Sequence, residues 1–162
     1  MQRLQNLEIK FIKNQNQINN TMSNQKDIRV VVINPETKTI EEQFISAKNV
    51  LQSYYDIIGN GCELVTSIFS FPSECGNYDN TMMCDDEILL RPHHIKAGFR
   101  IGNYTFVNAA LWVGCDSEGE TASTTIDIDQ LKEEVSWISQ EKALEYQEYT
   151  TGTSPMLIHF EA

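Results

Sequence analysis

Three acids on alternate positions around a glycine, Asp116-Ser117-Glu118-Gly119-Glu120, follow closely on the apolar run Ala110-Leu111-Trp112-Val113. In an EF-hand, oxygen ligands at loop positions 1, 3, 5 and 12 hold calcium, and Asp116, Glu118, Glu120 and Asp127 fall on those positions. The same loop requires glycine at position 6, where the backbone turns sharply, but Thr121 stands there and the glycine is at position 4. A reversal between two strands needs only one residue of positive φ, which Gly119 can supply. The stretch is therefore read as a turn bearing carboxylates, and no metal site is assigned to it.

Arg91-Pro92-His93-His94 sets two imidazoles side by side. Adjacent side chains on an extended backbone point in different directions, so a shared metal would need further ligands, of which Cys84 and Asp86 stand nearest in sequence. One exposed and one packed imidazole on a loop is the simpler expectation. The cysteines, Cys62, Cys75, Cys84 and Cys115, form no close pair of the kind that aims two thiolates at one zinc ion. They are expected as free, buried or half-buried thiols, which behave as small hydrophobes. Cys84 or Cys115 could be drawn with His93 or His94 as a nucleophile pair, but nothing in the sequence marks an activated thiol. His159 stands alone near the C-terminus. Walker, G-x-G-x-x-G, G-x-S-x-G and H-E-x-x-H patterns do not occur. No catalytic residue and no cofactor are assigned, and the chain is read as a binding protein rather than an enzyme.

Charge narrows the partner. The net charge is −11, with seven Lys/Arg against five Asp/Glu in residues 1–50 and five against eighteen in residues 51–162. Such a surface repels phosphate backbones, so direct nucleic-acid binding is not expected. It favours a basic partner, for example a nucleic-acid-binding protein whose site the acids would occupy. The acids singled out for this surface are Asp116, Glu118, Glu120, Glu133 and Glu134. A second set has the opposite character. Arg91, Lys96 and Arg100, with His93 and Tyr104 nearby in sequence, could hold the phosphate or carboxylate of a nucleotide-like small molecule. Tyr54, Tyr55, Phe99, Trp112 and Trp137 are further aromatics for such a pocket, although most aromatics belong to a core.

The elements that must position these groups form an α+β pattern, a mainly antiparallel sheet with two helices packed on it. Residues 1–27, rich in Gln and Asn, are read as a flexible arm, with Met22 as a candidate initiator, and residues 28–162 as one domain. Ile28–Ile33 is β-branched and nearly continuous, as in a strand covered on both faces, and a turn at 34–38 leads into a second strand, Thr39–Ile45. Ser46 is expected to cap a helix whose stripe is Val50, Leu51, Tyr54, Tyr55 and Ile58, ended by Gly59-Asn60-Gly61.

Cys62–Phe69 has strand composition, Ser70–Asn80 that of a loop, and Thr81–Asp85 that of a short strand, while Ile88–Gly102 is irregular. Tyr104–Val113 reads as one strand, Gly114–Gly119 as a reversal and Glu120–Thr125 as the returning strand. Asp127 caps the last helix, with Gln130 three residues on and Ile126 and Leu131 as a staple. Its apolar side is Leu131, Val135, Trp137 and Ile138, and Asp129, Glu133 and Glu134 fall in its first turns, where the helix dipole favours acids. Tyr146–Gly152 is expected as loop and Met156–Phe160 as an edge strand. No apolar run approaches the roughly 20 residues that span a bilayer, and Met1–Asn20 lacks the apolar block of a signal peptide, so a cytoplasmic location is expected.

Asp85-Asp86-Glu87 before a proline-containing segment, then Phe106-Val107-Asn108-Ala109-Ala110-Leu111-Trp112-Val113-Gly114-Cys115-Asp116-Ser117-Glu118-Gly119-Glu120, a Ser/Thr stretch and a helix, resemble the domain of unknown function 3846. The valine-rich strand, proline turn and short helix of Ile28–Ile58 match its opening, and the resemblance covers about residues 28–140. Two features depart from it: Gly-Asn-Gly ends the first helix where the family has paired glycines, and the middle loop is long. The family consists of small proteins found largely in bacteriophages and integrated or conjugative elements, with no established catalytic residues. The resemblance implies an accessory protein of a phage or mobile element. Together with the acidic second half, it leads to the expectation of a host protein as partner, with small-molecule binding as the alternative.

Overall fold

A computed structural model describes residues 27–72 and 79–151, with side chains for 27–68 and 80–151. β1 (Ile28–Asn34) lies inside the larger sheet because its β-branched run can be buried on both faces. On one edge it pairs antiparallel with β2 (Thr39–Ile45), from Ile28 opposite Ile45 to Asn34 opposite Thr39. On the other it pairs with β7 (Ala110–Cys115), Val31 opposite Trp112. β4 (Asp79–Asp85) and β3 (Val65–Pro72) continue the sheet in the order β2-β1-β7-β4-β3. β8 (Thr121–Ala122) pairs with the end of β7 at Gly114 and Cys115.

Alternation along β1 defines two cores. Val30 and Val32 turn to the face covered by α1 (Val50–Ile58), where they meet Tyr54, Ile58, Leu111 and Val113. Val31 and Ile33 turn to the other face and meet Met82, Trp112 and Leu131 together with Phe99 and Phe106 of a second sheet. That sheet has the order β6-β5-β9, from β5 (Gly98–Ile101), β6 (Tyr104–Val107) and β9 (Val135–Ile138). Val107, one residue beyond Phe106, faces outward and packs with Ala143 of α3 (Gln140–Thr151) in a third cluster. The fold is α+β with antiparallel sheets, as expected, but it has two sheets and, with α2 (Ile128–Glu134), three helices among the described residues.

Several boundaries differ from expectation for identifiable reasons. The strand expected over Tyr104–Val113 is two strands in two sheets, because Asn108 has φ of 61° and redirects the chain. Asn reaches the left-handed region more readily than other side-chain-bearing residues. Its side chain holds the loop that passes beside it: Oδ1 accepts from the Lys96 amide at 2.8 Å and Nδ2 donates to the His94 carbonyl at 2.9 Å. The irregular Ile88–Gly102 stretch contains two short 3-10 turns and β5.

The last expected helix ends early. Asp127 caps it, accepting from the Gln130 amide at 2.8 Å, but Val135, Trp137 and Ile138 are on β9, paired with β5 from Ile101 opposite Val135 to Gly98 opposite Ile138. Their β-branched and aromatic composition suits the strand. Residues 146–151, expected as loop, belong to α3, whose buried side chains are Ala143, Gln147 and Thr150, and Gly152 lies outside the described residues. A stripe of alanine and polar residues carries little hydrophobic period, and Gln147 is buried because Nε2 donates to the Leu89 carbonyl at 2.8 Å.

Ser46 does not cap α1; its hydroxyl accepts from the Lys48 amide at 3.2 Å, and Asn49 occupies the cap position. The loop expected over Ser70–Asn80 is shorter, since β3 runs to Pro72 and pairs there with Asp79. The returning strand after the Gly119 reversal is two residues long. The expected arm except Asp27, Cys75, Met156–Phe160 and His159 lie outside the described residues.

Candidate functional site

The acidic turn comes first in the geometry. The Asp116 carboxylate folds back on its own loop, Oδ1 accepting from the amides of Glu118 and Glu120 at 2.9 Å each, while the Asp116 amide donates to the Glu120 carbonyl at 2.9 Å. Gly119 takes φ of 85° between them. Asp116 is thus a turn-forming residue, half-buried, and Glu118 and Glu120 are exposed. Among the described residues no group of three His, Cys, Asp or Glu side chains is placed to hold a metal ion.

From this turn the chain runs through 121–127 to α2, and Arg29 fixes that segment. The Arg29 amide donates to Ser123 Oγ at 3.0 Å, and the guanidinium Nη1 donates to the carbonyls of Thr124 at 2.9 Å and Ile126 at 3.2 Å. Its Nε pairs with Glu42. Beneath the same segment Asn80 Oδ1 accepts from Thr124 Oγ1 at 2.7 Å and from the Thr125 amide at 3.0 Å. The acidic turn and α2 therefore sit at the two ends of one anchored connection.

Glu133 and Glu134 are not in the first turns of a long helix. α2 ends at Glu134, so both lie in its last turn, exposed, where the partial negative charge of the helix terminus disfavours carboxylates. Each such placement costs about 0.3–1 kcal/mol at an exposed site. Glu134 accepts one hydrogen bond, from Gln130 Nε2 at 3.1 Å. Asp127 and Asp129 remain at the favourable end.

The basic set is dispersed. Arg91 pairs with buried Asp85 and donates to the Gly61 carbonyl, closing the loop after α1 onto β4. His93 is exposed and His94 half-buried on one 3-10 turn, with ring centroids 4.3 Å apart, so the two imidazoles pack on each other. Lys96 is exposed beside the Asn108 staple. On β5 and β6 alternation places Phe99, Ile101, Tyr104 and Phe106 towards the larger sheet and Arg100 and Thr105 on the outer face.

Of the aromatics considered for a pocket, Phe99 and Trp112 are fully or almost fully buried in the core, Trp137 packs against it, and Tyr54 and Tyr55 belong to the α1 face. Cys62 and Cys84 are buried free thiols and Cys115 is half-buried. Burial, reinforced by the charge of Asp85, pushes the Cys62 thiol up to about 11 and the Cys84 thiol up to about 12, which removes their nucleophilic form at neutral pH.

Arg100 opens onto a groove of about 410 Å³ between the outer face of the second sheet and α3. One wall is Arg100, Thr105 and Ile138; the other is Lys142, Glu145, Tyr146 and Tyr149, spaced i, i+3, i+4 and i+7 on one face of the helix. These helix residues are missed in the sequence because a loop is expected from Tyr146 and no element over 139–145. Their spacing is the signal that could have found them.

Comparison of the chain with models of known families, with characterised proteins and with solved structures gives no match. Among the described residues no helix is long and apolar enough to cross a membrane.

Proposed function

We propose that the protein is a non-enzymatic accessory protein of a phage or mobile element that acts in the host cytoplasm by binding a basic surface of a host protein. Its side of the interface is the acidic surface of the 116–120 turn and the end of α2. The observation that carries this reading is the position of Glu133 and Glu134 in the last turn of α2, where local stability disfavours them. Their charge opposes the helix dipole rather than serving it, which leaves it for a contact outside the helix.

Supporting it, Asp116 shapes the turn that displays Glu118 and Glu120, and Arg29 holds the connection between turn and helix. Acids exceed cations by eleven over the chain, and the Arg29–Glu42 and Arg91–Asp85 pairs each take one of either sign and so leave that excess unchanged. The origin rests on the resemblance of residues 28–140 to the domain of unknown function 3846. The test is capture of a host protein whose retention falls as salt is raised and when Glu118, Glu120, Glu133 and Glu134 are replaced by glutamine, because exposed charges are screened over about 8–10 Å at physiological ionic strength.

A further inference from the structure

Apart from the two-residue β8, the sheet edges among the described residues are β2 and β3 in the larger sheet and β6 and β9 in the second. Three of these edges are blunted. β6 and β9 have four residues each, and β3 has a register shift between Ser67 and Phe69 and ends at Pro72. Short edges, bulges and proline are the devices by which sheets avoid adding a further strand. β2 has none of them. Its seven residues pair with β1 in unbroken register, and among the described residues no strand lies beyond it. Alternate residues of an edge strand direct their N–H and C=O groups away from the sheet, so β2 presents a row of them.

Side chains set the chemistry of the strand that fits there. Residues 41–44 are exposed, Phe44 to 61%. Alternation puts Phe44 on the face of Ile40 and α2, and Glu41 on the opposite face. Glu42 pairs with Arg29, whereas no ion pair among the described residues engages Glu41. α2, which packs on β2 with Ile40 and Leu131 in one cluster, adds three carboxylates against Lys132. Lys38 and Lys48 stand in the turns beyond the two ends of β2. A second copy suits this edge poorly: self-pairing centred on the acids sets Glu41 against Glu42, and like charges directly opposite destabilise a pair. We propose that the β2 edge takes up an extended segment of another protein as an added antiparallel strand, with an aliphatic residue opposite Phe44 and Lys or Arg opposite Glu41. Antiparallel addition continues the pairing of β1 with β2 and places the aliphatic residue three positions before the cation. Main-chain hydrogen bonds supply the affinity, and the two side-chain contacts, on opposite faces, supply the selectivity. The site uses none of Glu118, Glu120, Glu133 and Glu134 as direct contacts, so it stands or falls separately from the acidic surface.

The experiment titrates the full chain with the end-capped peptide Ser-Thr-Val-Thr-Thr-Arg-Thr-Ser, followed by amide chemical shifts in NMR. Three further peptides accompany it: one with Glu in place of Arg, and two N-methylated on alternate sets of backbone amides. The expected result is saturable binding with shifts centred on β2 and β1, and at least threefold weaker binding of the Glu peptide. One N-methylated peptide is expected to bind at least tenfold more weakly than the other, because only one set of amides faces β2. Glu41→Lys is expected to reverse the preference between the Arg and Glu peptides, and Phe44→Ala to weaken binding at least threefold, both at exposed positions and with the remaining spectrum unchanged. Absence of saturable binding overturns the proposal. So does equal binding of the two N-methylated peptides, or a preference for the Arg peptide that survives Glu41→Lys. Shifts in β2 that follow protein concentration alone assign the edge to a second copy and overturn it as well.

Discussion

Arg29 and Thr124 are joined twice: the Thr124 amide donates to the Arg29 carbonyl at 3.0 Å, and Arg29 Nη1 donates to the Thr124 carbonyl at 2.9 Å. The first bond carries the chain along the edge of β1, and the second clamps it from the side-chain direction. Replacing Arg29 by methionine keeps the hydrophobic stem and removes the clamp on Thr124 and Ile126. The expected loss is about 2–3 kcal/mol, since hydrogen bonds from a charged donor contribute about 1.5–3 kcal/mol. Glu42→Gln, which removes an exposed partner only, is expected to cost less than about 1 kcal/mol. Urea unfolding of both variants checks this; equal effects would assign the stability to the ion pair rather than to the clamp.

Asn108 combines a positive φ with two side-chain hydrogen bonds to the 94–96 loop. Asn108→Gly keeps the backbone conformation and loses the bonds, while Asn108→Ala loses both. The alanine variant is expected to be less stable than the glycine variant, with the glycine variant about 1–3 kcal/mol below wild type. Thermal unfolding of the pair measures the two contributions; an alanine variant as stable as the glycine one would show that the φ angle costs nothing there.

These residues also mark where the sequence was legible and where it was not. β1, β2, the first helix and the Asp127 cap were readable because each carries a local signal: β-branched runs, turn residues, a stripe and a cap. The split at Asn108 was hidden because hydrophobic composition continues through it, and only its partners at His94 and Lys96 give it a reason to turn. β9 was hidden inside an apparent helix because its register with β5 is a long-range fact. α3 was hidden because its buried stripe is Ala143, Gln147 and Thr150. The groove followed α3 out of sight, whereas the acidic turn was visible because its shape is set within five residues.

Glu133→Gln and Glu134→Gln are expected to stabilise the protein, each by about 0.3–1 kcal/mol, because they remove negative charge from a helix C-terminus. Glutamine at 134 retains an acceptor for Gln130, so that hydrogen bond is not a confounding loss. Thermal melting at low and at high salt checks the assignment, with the gain shrinking as salt rises. A loss of stability would mean that the two carboxylates serve the fold.

Cys62 and Cys84 have thiols pushed up to about 11 and about 12, chiefly by burial. Both stay protonated in the fold while an unfolded thiol ionises from about pH 8.5. Their contribution to stability is therefore complete below that pH and is lost as pH rises towards 11 and 12. In a Cys75→Ser background, iodoacetamide at pH 8 is expected to modify half-buried Cys115 first and to leave Cys62 and Cys84 intact until the protein is unfolded in urea. Rapid native-state labelling of Cys84 would contradict its burial.

Binding of a basic host protein through these carboxylates is measured by affinity capture from bacterial host lysate on the wild-type chain and on the Glu118→Gln/Glu120→Gln/Glu133→Gln/Glu134→Gln variant, with captured proteins quantified by mass spectrometry. The expected result is a specific protein with a basic surface, retained by the wild type, released by raised salt and reduced at least tenfold on a variant that is folded and no less stable. The same proteins held equally by both chains, or no protein enriched on the wild type, would contradict it.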